Sequence, residues 1–202
     1  MNNAAFIFPA VKGIQAKREY YISMVPLDAI PRIFQFIDED LPAEARSQRI
    51  LNKARVPEIR DYMLDNLNDY VFSSLTVSVD GDMEFTSISS DDPSIGHIKI
   101  DMSARFLIND GQHRSAAIAE AIKKNIELRR EQISVVFYHD EGLQRSQQMF
   151  SDLNRYAIRP TRSINILFNS REEASIIAKH VVDKVDVFCG LTEKENTSIS
   201  NR

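Results

Sequence analysis

The stretch from Arg105 to Lys124 constrains the fold more than any other part of the chain. Arg105 to Ile108 is a short run of strand type, and Asn109-Asp110-Gly111 follows as a turn signal. Ser115 to Lys124 is then Ala-rich and strongly helix-forming, with Ile118, Ala121 and Ile122 at helical spacing. A strand that passes into a helix after so short a turn needs both a sheet layer and a helix layer.

The rest of the chain supplies partners for both layers. Residues 1–25 read as strand-prone around Phe6-Ile7-Phe8 and Tyr20-Tyr21-Ile22. A short helix is expected between Pro26 and Asp40, with Ile33, Phe34 and Ile37 on one face. Pro42 suits the first position of a helix through Arg46, Ile50 and Leu51. Pro57 opens another, with Ile59, Met63 and Leu67 inward. Val71, Ser73, Leu75, Val77 and Val79 alternate, Asp80-Gly81 follows, and Met83 and Phe85 resume the alternation. That pattern predicts a β-hairpin with a tight turn. Ile98-Lys99-Ile100 and Ile133 to Tyr138 are further strand candidates. Leu143, Met149, Phe150 and Leu153 place a helix over residues 142–155, and Ser170 with Glu173 makes a capping-box pattern opening a helix through Val187. Strands and helices alternate, so the expected class is a mixed α/β (α+β) fold.

Composition narrows the function classes. The chain has 202 residues, a formal charge of −4 and one cysteine, Cys189. A lone cysteine excludes an internal disulfide and a cysteine-built zinc site, and it fits the reducing cytoplasm. The four histidines are not paired at ligand spacing, so no metal site is expected. The apolar runs are too short for a transmembrane helix, and the N-terminus lacks the basic start and apolar core of a signal peptide. Charge is unevenly placed. Residues 76–101 carry Asp80, Asp82, Glu84, Asp91, Asp92 and Asp101 against Lys99 alone. Residues 144–171 carry Arg145, Arg155, Arg159, Arg162 and Arg171 against Asp152 alone. Arginine without lysine tilts the second segment toward anion contact, because guanidinium binds phosphate in a bidentate way. The plainer reading is two solvated surfaces of opposite sign.

The turn itself carries the most concentrated chemistry. Asp110, Gly111, Gln112, His113 and Arg114 lie between the strand and the helix, with Ser115 next. A helix N-terminus presents backbone N–H groups and a positive dipole end, which suits phosphate. Gly111 lets a ligand approach the backbone, Arg114 adds a charged fork, and Gln112 and His113 offer hydrogen bonds. Asp110 can cap the helix, orient His113 or hold a metal on a nucleotide. A capped helix after a β-turn, with Arg114 solvated, would explain the same residues without any ligand.

An apolar strand, DGQHR and an Ala-rich helix together resemble the signature of DGQHR-domain proteins, and within these the DndB family, associated with DNA phosphorothioation. Gln48-Arg49-Ile50-Leu51-Asn52, then Arg55-Val56-Pro57-Glu58-Ile59 and Tyr62, is similar to that family's N-terminal helical element. Met149-Phe150-Ser151-Asp152-Leu153-Asn154-Arg155, then Pro160, is similar to its downstream element. The resemblance covers roughly residues 5–185. It implies a ParB/sulfiredoxin-like domain over residues 1–190, with strand–turn–helix at its centre and nucleotide phosphates cradled there. Because the family's chains are usually longer, the polar tail over 191–202 is expected to begin a further C-terminal region. Two departures matter. Gln112 stands where sulfiredoxins place a cysteine, which excludes sulfinic-acid reductase chemistry. Two arginines of the ParB pattern are missing, which speaks against a CTP-driven clamp.

These readings give the following expectations. Gly111, Gln112, His113, Arg114 and Ser115 bind a nucleotide or phosphate, with ATP or GTP and Mg²⁺ as the candidate cofactor. Asn154, Arg155, Arg159, Arg162 and Arg49 contact double-stranded DNA. The implied role is a DNA-binding regulatory or accessory protein of a phosphorothioation system, partnered by that system's other proteins or by a second copy. The alternative is an enzyme, either a DNA-stimulated nucleotide hydrolase or a DNA-nicking nuclease in phage defence, with Asp110 and His113 as catalytic residues. A third possibility is a structural interaction domain whose turn only organises the fold.

Overall fold

The computed structural model describes residues 4–34, 54–155, 160–192 and 194. The chain divides into two compact units, Met1–Arg155 and Tyr156–Arg202.

The first unit is built on a seven-stranded mixed sheet in the order β4-β5-β1-β2-β7-β3-β6. Its strands are β1 (Ala5–Gln15), β2 (Arg18–Pro26), β3 (Leu75–Asp80), β4 (Met83–Ser87), β5 (Ile95–Asp101), β6 (Arg105–Asp110) and β7 (Gln132–His139). All neighbours are antiparallel except β3 and β7, which run parallel. Strands β1, β2 and β7 alternate buried and exposed residues, sending Phe8, Ala10, Tyr21, Val25, Val135 and Phe137 into one core. Burial contributes about 1.5–3 kcal/mol for each of the larger apolar side chains among them. The β1–β2 turn holds Ala16 and Lys17 at φ 50° and 66°, the double left-handed geometry that matches the twist of a two-residue hairpin.

The expected hairpin across Asp80-Gly81 does not form. Strand β3 lies between β7 and β6, while β4 pairs with β5 at the other end of the strand order. Leu75, Val77, Ser78 and Val79 are all buried, so this strand needs neighbours and cover on both sides. The link to β4 is nonetheless only Gly81-Asp82, so the sheet curls until its two ends approach. The edge-to-face contact of Phe6 on β1 with Phe106 on β6, at 6.1 Å, shows the same curl. Val71 and Ser73, counted in the alternation, precede the strand.

Among the described residues, four α-helices belong to the first unit: α1 (Ile30–Ile33), α2 (Arg55–Asp65), α3 (Gln112–Lys124) and α4 (Leu143–Arg155). Ile30 and Ile33 anchor α1 in the core. Helix α2 starts before Pro57, which sits in the first turn where its missing N–H costs nothing. It ends at Asp65, so Leu67, expected inward, is exposed, and Val56 joins Met63 on the buried side. Arg60 reaches Glu120 at 2.8 Å and pins α2 to α3. The helix expected through Arg46, Ile50 and Leu51, and Ile37 before it, lie outside the described residues.

The second unit holds α5 (Arg162–Phe168) and α6 (Glu173–Lys184). Lys179 donates to the carbonyls of Asn169 at 2.6 Å and Leu167 at 3.4 Å, satisfying the end of α5. The expected capping box at Ser170 is absent. Glu172 precedes the first helical residue, and Asn169 Oδ1 accepts from the N–H groups of Arg171 and Glu172. The helix also stops at Lys184, before Val187.

No helix among the described residues is long and apolar enough to cross a membrane.

Candidate functional site

The strand–turn–helix unit is tighter than its sequence suggests. Asn109 and Asp110 complete β6, and Gly111 alone joins the strand to α3. Asn109 is no turn residue but is fully buried. Its Nδ2 donates to Ser78 Oγ at 2.7 Å and approaches Met149 Sδ at 3.2 Å. Ser146 Oγ donates to Asp140 Oδ1 at 2.9 Å on the same helix that carries Met149. The Asn109–Met149 contact joins β6 to α4, Asn109–Ser78 ties β6 to β3, and Ser146–Asp140 ties α4 to the end of β7, so these buried polar groups are satisfied.

Gly111 makes the single-residue link possible. Its φ is +97°, and a Cβ there would fall 2.4 Å from Leu75 Cδ2. Only glycine meets both conditions without strain. It stands as the N-cap of α3 with no side-chain cap, so Asp110 does not cap the helix. Instead, Asp110 Oδ2 accepts from Arg114 Nη2 at 2.6 Å. Arg114 is thus folded back over Gly111 and is 17% exposed, against the solvated placement that a plain capped helix would give it. Gln112 Nε2 donates to the Ile108 carbonyl at 3.3 Å, and Ser115 is buried with its N–H bonded to the Gly111 carbonyl.

An open groove of about 530 Å³ lies against this turn. Asp110, Gly111, His113 and Arg114 line it, while Gln112 and Ser115 are not in its lining. The opposite wall comes from α2, whose Arg55, Glu58, Ile59 and Tyr62 recur at one helical face. Sequence reasoning named these four as part of a helical element and did not assign them to the site. Their spacing was the available signal, since Val56 and Met63 define a different, buried face of the same helix.

Two causes, burial first and the Arg55 charge second, hold the His113 imidazole below its ordinary value. Depression of a histidine makes its protonation unfavourable to the fold. The stabilising contribution is present above about pH 6.5, the unfolded value, and is lost as pH falls through the lower folded value. His113→Asn is therefore expected to flatten the acid limb of stability against pH below 6.5, as urea unfolding across that range would show. An anion seated between Arg55 and His113 reverses the sign locally, so anion binding should tighten as pH falls.

The arginine-rich segment is only partly placed. Arg155 is exposed at the end of α4, in the first unit, and Arg162 is exposed at the start of α5, in the second. Asn154 stands in the last turn of α4, with its side chain outside the described set. Arg159 and Arg49 lie outside the described residues. Among the described residues no group of three or more His, Cys, Asp or Glu is arranged to hold a metal.

A one-glycine strand–helix junction beside a groove lined by two arginines and two carboxylates marks a mixed α/β domain with its candidate site where the turn meets α2. The chain belongs to the DndB family, described as DNA-sulfur modification-associated, which it matches over residues 8–202. Membership associates it with a DNA phosphorothioation system. No curated protein and no solved structure matches the chain.

Proposed function

We propose that this chain is a DNA-binding regulatory or accessory component of a phosphorothioation system, and that its groove at Gly111 binds a phosphate group, most simply that of ATP or GTP with Mg²⁺. The observation that carries the reading is the meeting of Arg55, His113 and Arg114 on one open groove at the start of α3. Two guanidinium groups and the positive end of a helix dipole supply its positive charge, set against the Glu58 carboxylate on α2, and the His113 imidazole adds a hydrogen-bonding group. The carboxylate beside the turn, Asp110, is already matched by Arg114. In this reading Arg114 and Arg55 hold the phosphates, while Asp110 fixes the direction of the Arg114 fork. Gln112 and Ser115 support the turn from behind.

Duplex DNA is assigned to the segment around Arg155, Arg159 and Arg162. Each neutralised phosphate adds about 0.9 to the steepness of log affinity against log salt. Arg155→Ala with Arg159→Ala is expected to weaken duplex binding and to flatten that slope by about 0.9 for each phosphate the variant no longer neutralises. Mobility shifts over a range of salt concentrations measure both. Unchanged shifts would remove the segment from the interface.

A further inference from the structure

The groove at Gly111 is not uniform along its length. Arg55 and Tyr62 lie seven residues apart on the same face of α2, which places them about 10 Å apart along the helix axis. The Arg55 end adjoins His113, whose imidazole feels its charge. At the Tyr62 end the lining is apolar, contributed by Ile59, Val71 and Phe72. Glu58 stands between the two ends on the same helix.

The apolar end is held by hydrogen bonds and ring contacts. Val71 N–H donates to Tyr62 Oη at 2.9 Å, and Asn66 Nδ2 donates to the Tyr62 carbonyl at 2.7 Å. The Tyr62 and Phe72 rings pack with centroids 6.0 Å apart, and Tyr70 supports Phe72 from 5.3 Å. Tyr70 is itself tied to Glu131 by a hydrogen bond. Val71 is 77% exposed at the rim, held there by its bond to Tyr62. A bare phosphate would use only the cationic end of such a groove and would leave a fixed aromatic wall without purpose. The volume lies within the range of about 300–1,000 Å³ usual for small-molecule sites.

We infer that the groove takes a whole nucleotide, with its base against Tyr62, Phe72 and Val71 and its phosphates against Arg55 and Arg114. Glu58 then falls where the sugar hydroxyls lie, and a carboxylate accepts from such donors. Pre-positioned aromatic rings bind a planar base at little ordering cost. The inference rests on the phosphate reading of the same groove, and it adds Tyr62, Phe72 and Val71 as the residues that distinguish a nucleotide from its phosphates.

Equilibrium titration of the full chain with ATP and with inorganic tripolyphosphate separates the two. ATP should bind about ten-fold or more tightly, the contribution of one stacked base. Tyr62→Leu and Val71→Asn should each move ATP affinity toward that of tripolyphosphate and leave tripolyphosphate binding unchanged. Tyr62→Phe, which keeps the ring, should retain the ATP preference. Val71 is a surface position, so its variant tests the wall even if Tyr62→Leu fails to fold. A single-stranded oligonucleotide that competes with ATP would support the same wall with DNA as the source of the nucleotide. Equal affinity of the wild-type chain for ATP and tripolyphosphate would overturn the inference and leave the phosphate reading standing. Failure of both to bind would overturn both.

Discussion

Gly111→Ala is expected to destabilise the first unit through two separate costs, backbone strain and crowding. The left-handed backbone at φ +97° costs about 1–2 kcal/mol for a residue with a Cβ. The new Cβ would also meet Leu75 Cδ2 at 2.4 Å and the Arg114 guanidinium at 3.0 Å. Leu75 is fully buried in the core and cannot move without disturbing it, an overpacking cost of about 1–3 kcal/mol. Gly142 provides the control. Its φ is +106°, but nothing lies within 4 Å of a Cβ built there, so Gly142→Ala should show the backbone cost alone. Denaturant unfolding of the two variants therefore separates strain from crowding. Equal losses would mean that Gly111 is required only for its backbone angle.

Arg114→Ala is expected to have the largest effect on ligand binding. It removes one of the groove's two guanidinium groups and leaves Asp110, half-exposed, without its 2.6 Å partner beside the turn. A hydrogen bond to a charged group is worth about 1.5–3 kcal/mol, so nucleotide affinity should fall on the order of ten- to hundred-fold. The unpaired Asp110 carboxylate adds repulsion toward any phosphate. Asp110→Asn in the same background should recover part of the loss by removing that charge. Calorimetric titration of the single and double variants measures the recovery. A double variant no better than Arg114→Ala would show that Asp110 acts only as a tether.

The strand–turn–helix unit was legible because it is local. Phe106 to Lys124 contains its own periodicities, its own glycine and its own ion pair between Asp110 and Arg114, four residues apart. The sheet around it was harder to read. Asp80-Gly81 between two alternating runs looks like a hairpin, and only the burial of both faces of β3 shows why that strand takes β6 and β7 instead. Pairing across more than fifty residues leaves no local mark. Asn109 was misread for a related reason. Asparagine before Asp-Gly signals a turn, but here Ser78 and Met149, distant in sequence, give its amide a buried role.

The site was half legible in the same sense. Asp110, Gly111, His113 and Arg114 declared themselves by their concentration in one turn, and all four line the groove. Gln112 and Ser115 shared that sequence signal, but helical geometry turns them away, toward the strand and the core. Arg55, Glu58, Ile59 and Tyr62 come from a helix more than forty residues earlier, brought in by packing of α2 on α3 and by the Arg60–Glu120 ion pair. Tertiary packing, not sequence proximity, completes the groove.

The central claim is that phosphate binds at the Gly111 turn between Arg114 and Arg55. Backbone amide resonances followed by NMR during titration with ATP test it most directly. The account predicts the largest shifts at Gly111 to Arg114 and in the first turn of α2 at Arg55, saturating together with a single affinity. Saturable binding that moves resonances elsewhere and leaves the 111–114 amides in place would contradict it.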